Sequence, residues 1–140
     1  YNRSYFLEEV HRFDTCNRFY PAGLLICLVE GAKLDRQDPE REEYKTIISD
    51  ITSLIRTCVC HHDILTSRIS NNEFAILFSN CKAVEIDSLA KQIVERVADF
   101  NQRHPRCPVQ ITTGFAVQSD PDTKMEELFR KASNQLYSKK

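Results

Sequence analysis

The hydrophobic positions of this chain change repeatedly between a helical and an extended spacing. Between residues 3 and 14 the apolar side chains recur about three to five positions apart, which predicts a first helix. Residues 24–29 are an unbroken apolar run, typical of a central strand that is covered on both faces. Asp38 and Pro39 then suit the start of a second helix, which ends near Cys60. Its predicted buried stripe consists of Tyr44, Ile47, Ile48, Ile51, Leu54, Ile55 and Cys58.

A short polar stretch separates two further apolar runs between residues 64 and 78. Both runs are rich in β-branched or aromatic residues, so we predict a β-hairpin. Asn71 and Asn72 lie at its apex, and asparagine tolerates the positive φ of a tight primed turn. Glu73 is the only carboxylate at this apex, and Asn72 is neutral at a place where a metal site would need an acid.

The second half of the chain contains a helix, a strand and a final helix. The third helix is predicted between Asn80 and His104, with a buried face of Val84, Leu89, Ile93, Val94, Val97 and Phe100. In residues 109–117 apolar and polar positions alternate, which predicts a strand covered on one face. The fourth helix follows the polar residues 119–123 and carries an apolar stripe of Met125, Leu128, Phe129, Ala132 and Leu136.

This order of elements predicts an α+β fold. Without its first and last helices the chain is βαββαβ, the ferredoxin-like arrangement in which helices cover an antiparallel sheet. Because many unrelated functions share this topology, the fold alone does not indicate an activity.

Composition narrows the class of protein. With 140 residues and 41% hydrophobic content, residues 1–140 are expected to form one domain. A net charge of -1 argues against a dedicated nucleic-acid surface. The longest apolar run is short of a membrane span by about a dozen residues or more, so we expect this domain to make no membrane contact. We expect a cytoplasmic location for the domain, which is compatible with a membrane anchor elsewhere in the parent protein. The chain starts at Tyr1 in mid-pattern, and we expect it to be cut from a longer multidomain protein.

The chain has six cysteines, several of them within apolar patterns, and reduced thiols of a cytosolic domain are the expected state. Cys58, Cys60, His61 and His62 are four potential metal ligands in a short segment. Their spacing matches no common structural zinc pattern, and Cys58 belongs to the predicted buried stripe. The sequence leaves open whether this segment binds a metal.

Four separated segments resemble the GGDEF domain of diguanylate cyclases, in which each copy binds one GTP and a dimer makes cyclic di-GMP. They are Asn2-Arg3 at the first helix, Arg68 to Phe74, Thr113 to Ala116, and Ala132 to Tyr137. Ser70-Asn71-Asn72-Glu73-Phe74 stands in place of the signature Gly-Gly-Asp/Glu-Glu-Phe. The resemblance covers essentially the whole chain and implies the GGDEF fold.

The resemblance also implies where metal ligands should lie. In the family, carboxylates at the end of the first strand and at the hairpin apex hold Mg²⁺, which neutralises the GTP phosphates. Leu28 and Asn72 occupy these two positions here, and Glu73 matches the second acid of the motif. A leucine cannot coordinate a cation, so no metal site, catalytic residue or cofactor is expected.

The resemblance assigns nucleotide contacts to several residues. Lys33 and Lys140 align with phosphate-contacting positions, and Arg36 falls where the family recognises the base. Ser70 and Asn71 replace the two glycines that allow a close approach of nucleotide to backbone, and Asn72 follows them. The Arg-x-x-Asp of the family's product-inhibition site is absent from residues 61–64.

Our hypothesis is a catalytically inactive regulatory or dimerisation module of a cyclic di-GMP signalling protein. Its expected partners are sensor or phosphodiesterase-type domains of the same chain and a second copy, and weak GTP binding remains open. The alternative is an active cyclase whose Mg²⁺ site is rebuilt on Glu30 and Glu73. Glu30 faces the same side of its strand as Leu28, roughly 7 Å further along.

Overall fold

The computed structural model of the protein describes residues 3–15, 20–31, 42–60, 63–105 and 108–139. In these ranges it contains four helices and four strands. Their bounds are α1 Arg3–Thr15, β1 Gly23–Glu30, α2 Glu42–Val59, β2 Asp63–Arg68, β3 Glu73–Phe78, α3 Ala83–Arg103, β4 Gln110–Val117 and α4 Met125–Ser138. All eight predicted elements are therefore present, and the predicted start of α2 at Asp38 and Pro39 lies outside the described residues.

The four strands form one antiparallel sheet with the order β2-β3-β1-β4. Strand β1 pairs with both β3 and β4, and β2 pairs with β3. This arrangement confirms the predicted βαββαβ topology, with α1 and α4 as the additional terminal helices.

Strand β1 divides the hydrophobic core into two layers. Leu25, Cys27 and Val29 belong to the cluster formed with α2 and α3. The alternate residues Leu24, Ile26 and Leu28 belong to the cluster formed with α1 and α4. Helices thus cover both faces of the strand, as its unbroken apolar run predicts.

The buried face of α3 differs from the predicted one. Val84 and Val94 are 70% and 44% exposed, whereas Ile86 and Ala90 are buried. The buried positions 86, 89, 90, 93, 97 and 100 recur every three or four residues along one side of the helix. Val84 and Val94 lie off that stripe, so their apolar character alone does not predict that they are buried.

Strand β4 is covered on both faces, so the prediction of a strand covered on one face is wrong. Ile111, Phe115 and Val117 pack against the α2 and α3 cluster. On the other face Gly114 and Ala116 are buried next to α4. In the sequence such small residues look like solvent-facing positions. In the structure their small size allows α4 to approach the backbone of β4 closely.

The hairpin strands are as predicted, but the apex is not a primed turn. Among the described non-glycine residues only Asn80 has a positive φ, at 49°, so Asn71 and Asn72 do not. The Ile69 amide donates to the Glu73 carbonyl across 2.9 Å. The Arg68 guanidinium donates to the Asn71 carbonyl at 2.7 Å through Nη2. A loop of four residues braced by an arginine therefore replaces the two-residue turn.

Two of the four described cysteines are core residues. Burial raises the pKa of Cys27 to about 12 and that of Cys81 to about 11. Cys58 is partly buried, Cys60 is exposed, and all four are free thiols. No helix in the described parts of the chain is both long and apolar enough to cross a bilayer.

Candidate functional site

The end of β1 lies beside the hairpin apex. The register pairs Leu28 directly with Glu73 of β3, and residues directly opposite in an antiparallel pair project from the same face of the sheet. The structure thus places Leu28, one of the two positions to which the resemblance assigns a metal-binding acid, opposite Glu73, the second acid of the motif. Asn72, the other such position, directly precedes Glu73 at the apex.

Leu28 is part of the hydrophobic core. It is only 5% exposed and belongs to the apolar cluster of α1, α4 and the sheet. Glu73 is partly buried, and its Oε1 lies 3.4 Å from the Ser70 hydroxyl. Because leucine has no donor atom for a cation, the residues present do not fit the metal site of the family at this position.

Asn72 connects the hairpin to the last residues of β1. Its carbonyl accepts a hydrogen bond from the Val29 amide at 2.9 Å, and its Nδ2 donates to the Val29 carbonyl at 3.1 Å. The side chain therefore extends the pairing of β1 and β3 beyond Leu28 and Glu73. A carboxylate at this position has no proton to donate to Val29 at neutral pH.

We expect Asn72→Asp to lower the free energy of unfolding by about 1–3 kcal/mol at pH 7, because a carboxylate oxygen would face the Val29 carbonyl. Urea unfolding measures the loss, and hydrogen exchange at the Val29 amide localises it. Asn134→Asp makes the same charge change at an exposed position of α4 and is the control. Unchanged protection of the Val29 amide in Asn72→Asp would contradict this role.

Glu30 is the last residue of β1 and pairs with Gln110 of β4. The pairing of β1 with β3 ends at Leu28 and Glu73, so Glu30 is a diagonal neighbour of Glu73, about 7–8 Å away between backbone positions. Within the described ranges, no three His, Cys, Asp or Glu side chains form a group that could hold a metal ion.

A cavity of about 510 Å³ lies between α1, the hairpin and α4. Its apolar lining consists of Phe6, Leu7, Val10, Ile69, Met125 and Phe129. Asp14, Glu73 and Glu126 also line it, and its described lining contains no basic residue. The Asp14 Oδ1 accepts a hydrogen bond from the Met125 amide at 2.9 Å and so caps α4. The negative charge of this lining disfavours a polyphosphate without counterions.

Several residues predicted to contact nucleotide lie outside the described residues. These are Lys33, Arg36 and Lys140. Two potential metal ligands, His61 and His62, also lie outside the described residues. Lys139, next to Lys140, donates from Nζ to the Thr113 carbonyl at 2.9 Å and ties the end of α4 to β4. The sequence contained no signal for this contact or for the two bonds of Asn72.

Comparison with protein families gives a match to the model described as "Diguanylate cyclase, GGDEF domain" over residues 43–140. No curated protein sequence matches the chain. Three similar solved structures cover 97% of the chain. The active GGEEF domain of a Vibrio cholerae diguanylate cyclase is 18% identical, with a TM-score of 0.69 and 83% of that chain covered.

The second structure is the S helix-GGDEF-EAL part of Vibrio cholerae LapD bound to c-di-GMP, with 19% identity, a TM-score of 0.72 and 31% of that chain covered. The third is the Pseudomonas aeruginosa diguanylate cyclase SiaD in complex with its activator SiaC, with 13% identity, a TM-score of 0.73 and 53% of that chain covered. At these identities the structural similarity establishes the fold alone.

Proposed function

Because the chain belongs to the GGDEF domain family of cyclic di-GMP signalling proteins, we propose that it is a regulatory module that does not itself make cyclic di-GMP. The observation that carries the proposal is the buried Leu28 directly opposite Glu73.

The chemistry of cyclic di-GMP formation explains why a leucine opposite Glu73 argues against activity. A 3′-hydroxyl of one GTP must lose its proton and attack the α-phosphate of another, which breaks the α–β phosphoanhydride bond and releases pyrophosphate. Metal ions would neutralise the charge that develops on the phosphates. Two carboxylates facing each other across β1 and β3 suit a divalent cation, whereas a leucine and a single glutamate do not. The carboxylates along the neighbouring cavity add repulsion towards phosphate instead of compensating for the missing ligand.

A domain with this site acts through binding instead of turnover. We infer that its partners are neighbouring domains of the same protein and a second copy of the domain. Support comes from the similar structures, in which a GGDEF domain stands beside an EAL domain in LapD and SiaD is bound to an activator. Weak GTP binding at the loop of Ser70, Asn71 and Asn72 is compatible with this role, although the two added side chains hinder close contact with a nucleotide.

We expect the purified chain to form no cyclic di-GMP from GTP with Mg²⁺ or Mn²⁺, as measured by chromatography against an active diguanylate cyclase as the positive control. The physical reason is the missing carboxylate opposite Glu73. Circular dichroism of the same sample verifies that the protein is folded. Product that disappears in Glu73→Ala would contradict the proposal.

The alternative function is an active cyclase that uses Glu30 and Glu73, and it is favoured only by their diagonal proximity. It requires that Glu30→Ala and Glu73→Ala each abolish the product. Calorimetric titration with GTP, with and without Mg²⁺, provides a further distinction. The alternative requires Mg²⁺ to tighten GTP binding, whereas the proposed regulatory module has no such requirement.

A further inference from the structure

We propose that the groove between α2 and α3 binds an acidic helix of a partner domain or protein. The groove has a volume of about 390 Å³. It lies on the face of the sheet covered by α2 and α3, opposite to the layer that contains Leu28. The proposal is therefore independent of the site at Leu28 and Glu73 and goes beyond the function proposed above.

The groove combines an apolar floor with one basic wall. Leu54 and Phe100 supply the apolar surface. Helix α2 contributes Asp50, Ser53 and Thr57, α3 contributes Arg96 and Arg103, and His104 directly follows α3. Asp50 is the only acid among the described residues of this lining and is outnumbered by the two arginines of α3, which suits an anionic occupant.

The two arginines are available for a ligand. Arg96 and Arg103 are exposed, and within the described part of the chain neither makes an ion pair or a hydrogen bond. Other surface cations of the domain do pair, as Lys91 does with Asp87 at 3.1 Å. Guanidinium groups bind carboxylates through two parallel hydrogen bonds, which makes a carboxylate a well-matched partner.

The spacing of the arginines favours a helix over a small anion. Arg96 and Arg103 are seven residues apart on α3, which places them on one side of the helix and about 10 Å apart along its axis. Two carboxylates at positions i and i+7 of a second helix have the same separation. An apolar side chain at i+3 or i+4 of that helix then reaches Leu54 and Phe100, as in other helix-in-groove complexes. A single phosphate would require both arginine side chains to converge on one point, whereas two carboxylates match the separation of their backbone positions.

Side chains on both helices of the groove are held in place before binding. The His104 ring stacks on Phe100 with a centroid distance of 4.3 Å and an interplanar angle of 22°. Its Nδ1 lies 3.1 Å from the Phe100 carbonyl, to which it can only donate. On the facing helix the Thr57 hydroxyl donates to the Ser53 carbonyl at 2.8 Å. Because these side chains are held in place before binding, little rotamer freedom is lost when a partner docks.

The test uses the 140-residue chain and labelled helical peptides that carry two glutamates and one central leucine. The glutamates are spaced i,i+4, i,i+7 or i,i+11, and a fourth peptide has glutamine at the i,i+7 positions. In fluorescence anisotropy at low salt we expect the i,i+7 peptide to bind at least about tenfold more tightly than the glutamine peptide. We expect Arg96→Ala and Arg103→Ala each to weaken its binding about fivefold or more.

Arg130→Ala is the matched control, since it removes the same charge from α4 on the opposite face, and it should change binding less than about twofold. A charge exchange gives the sharpest result. Arg96→Glu should abolish binding of the i,i+7 peptide, and a peptide with lysine in place of one glutamate should restore it. Circular dichroism verifies that each variant is folded.

Several outcomes would overturn the proposal. They are no binding of the i,i+7 peptide at millimolar concentration, equal binding of all spacings, and no restoration by the charge exchange. If inorganic phosphate or a cyclic dinucleotide displaces the peptide and loses affinity in Arg96→Ala and Arg103→Ala, the groove is a small-anion site and the helix assignment is wrong.

Discussion

Gly114→Ala is expected to lower the free energy of unfolding by roughly 3 kcal/mol or more, at the upper end of the range for overpacked cores. A Cβ at this position would collide with the Ala132 carbonyl oxygen and would lie 2.7 Å from the Leu136 amide nitrogen. Both atoms belong to the backbone of α4, so no side-chain rotation relieves the overlap. The helix would have to move away from β4 and open the core that it covers.

Urea unfolding followed by far-UV circular dichroism measures this loss, and Gly23→Ala is the control. At Gly23 the nearest atoms to an added Cβ are the side-chain ends of Ile86 and Cys81, the latter at 2.8 Å. Because side chains yield more readily than a helix backbone, we expect about 1–2 kcal/mol there. Equal losses in the two variants would show that the α4 backbone does not limit the substitution.

Leu28→Asp is expected to lower the free energy of unfolding by about 4 kcal/mol at pH 7, because it places an unpaired charge in an apolar cluster. The introduced carboxyl would also lie opposite Glu73. Burial and the neighbouring acid both raise its pKa in the folded state above the unfolded value of about 3.9. The folded state then binds more protons than the unfolded state between these two pKa values, so stability should fall as the pH rises through that interval.

Leu28→Asn is the matched control, since it has nearly the same shape but no charge. Its loss of stability should show no such dependence on pH. Millimolar Mg²⁺ should recover part of the stability of Leu28→Asp, because a cation can bridge the introduced carboxylate and Glu73, and it should not stabilise Leu28→Asn. Equal pH profiles for the two variants would falsify the view that Leu28 belongs to a dry core opposite Glu73.

The candidate site was partly predictable from the sequence. Alignment to motifs placed Leu28 and Asn72 at the positions expected to hold acids, and the register of β1 and β3 confirms that the end of β1 meets the hairpin apex. The structure also gives Asn72 a role that motif comparison does not contain, because its side chain donates to Val29, which is 43 residues away in the chain. No local pattern encodes a contact of that separation.

The fold, too, is only partly predictable from the sequence. The type and order of the elements follow from the sequence because each has its own period, such as the helical stripe from Ile47 to Ile55 and the continuous run of β1. The buried side of α3 does not follow, since Val84 and Ile86 are both aliphatic and only packing against the sheet separates them.

Local residue chemistry therefore suffices for the family and the eight elements, and motif comparison singles out Leu28 and Asn72, whereas the opposition of Leu28 and Glu73 comes from the strand register. The coverage of β4 and the groove between α2 and α3 depend on the tertiary structure. Gly114 illustrates the reason: a glycine reads as an exposed or turn position until α4 packs against it. Periodicity reports which residues avoid water, whereas the approach of one element to another depends on the shape of both.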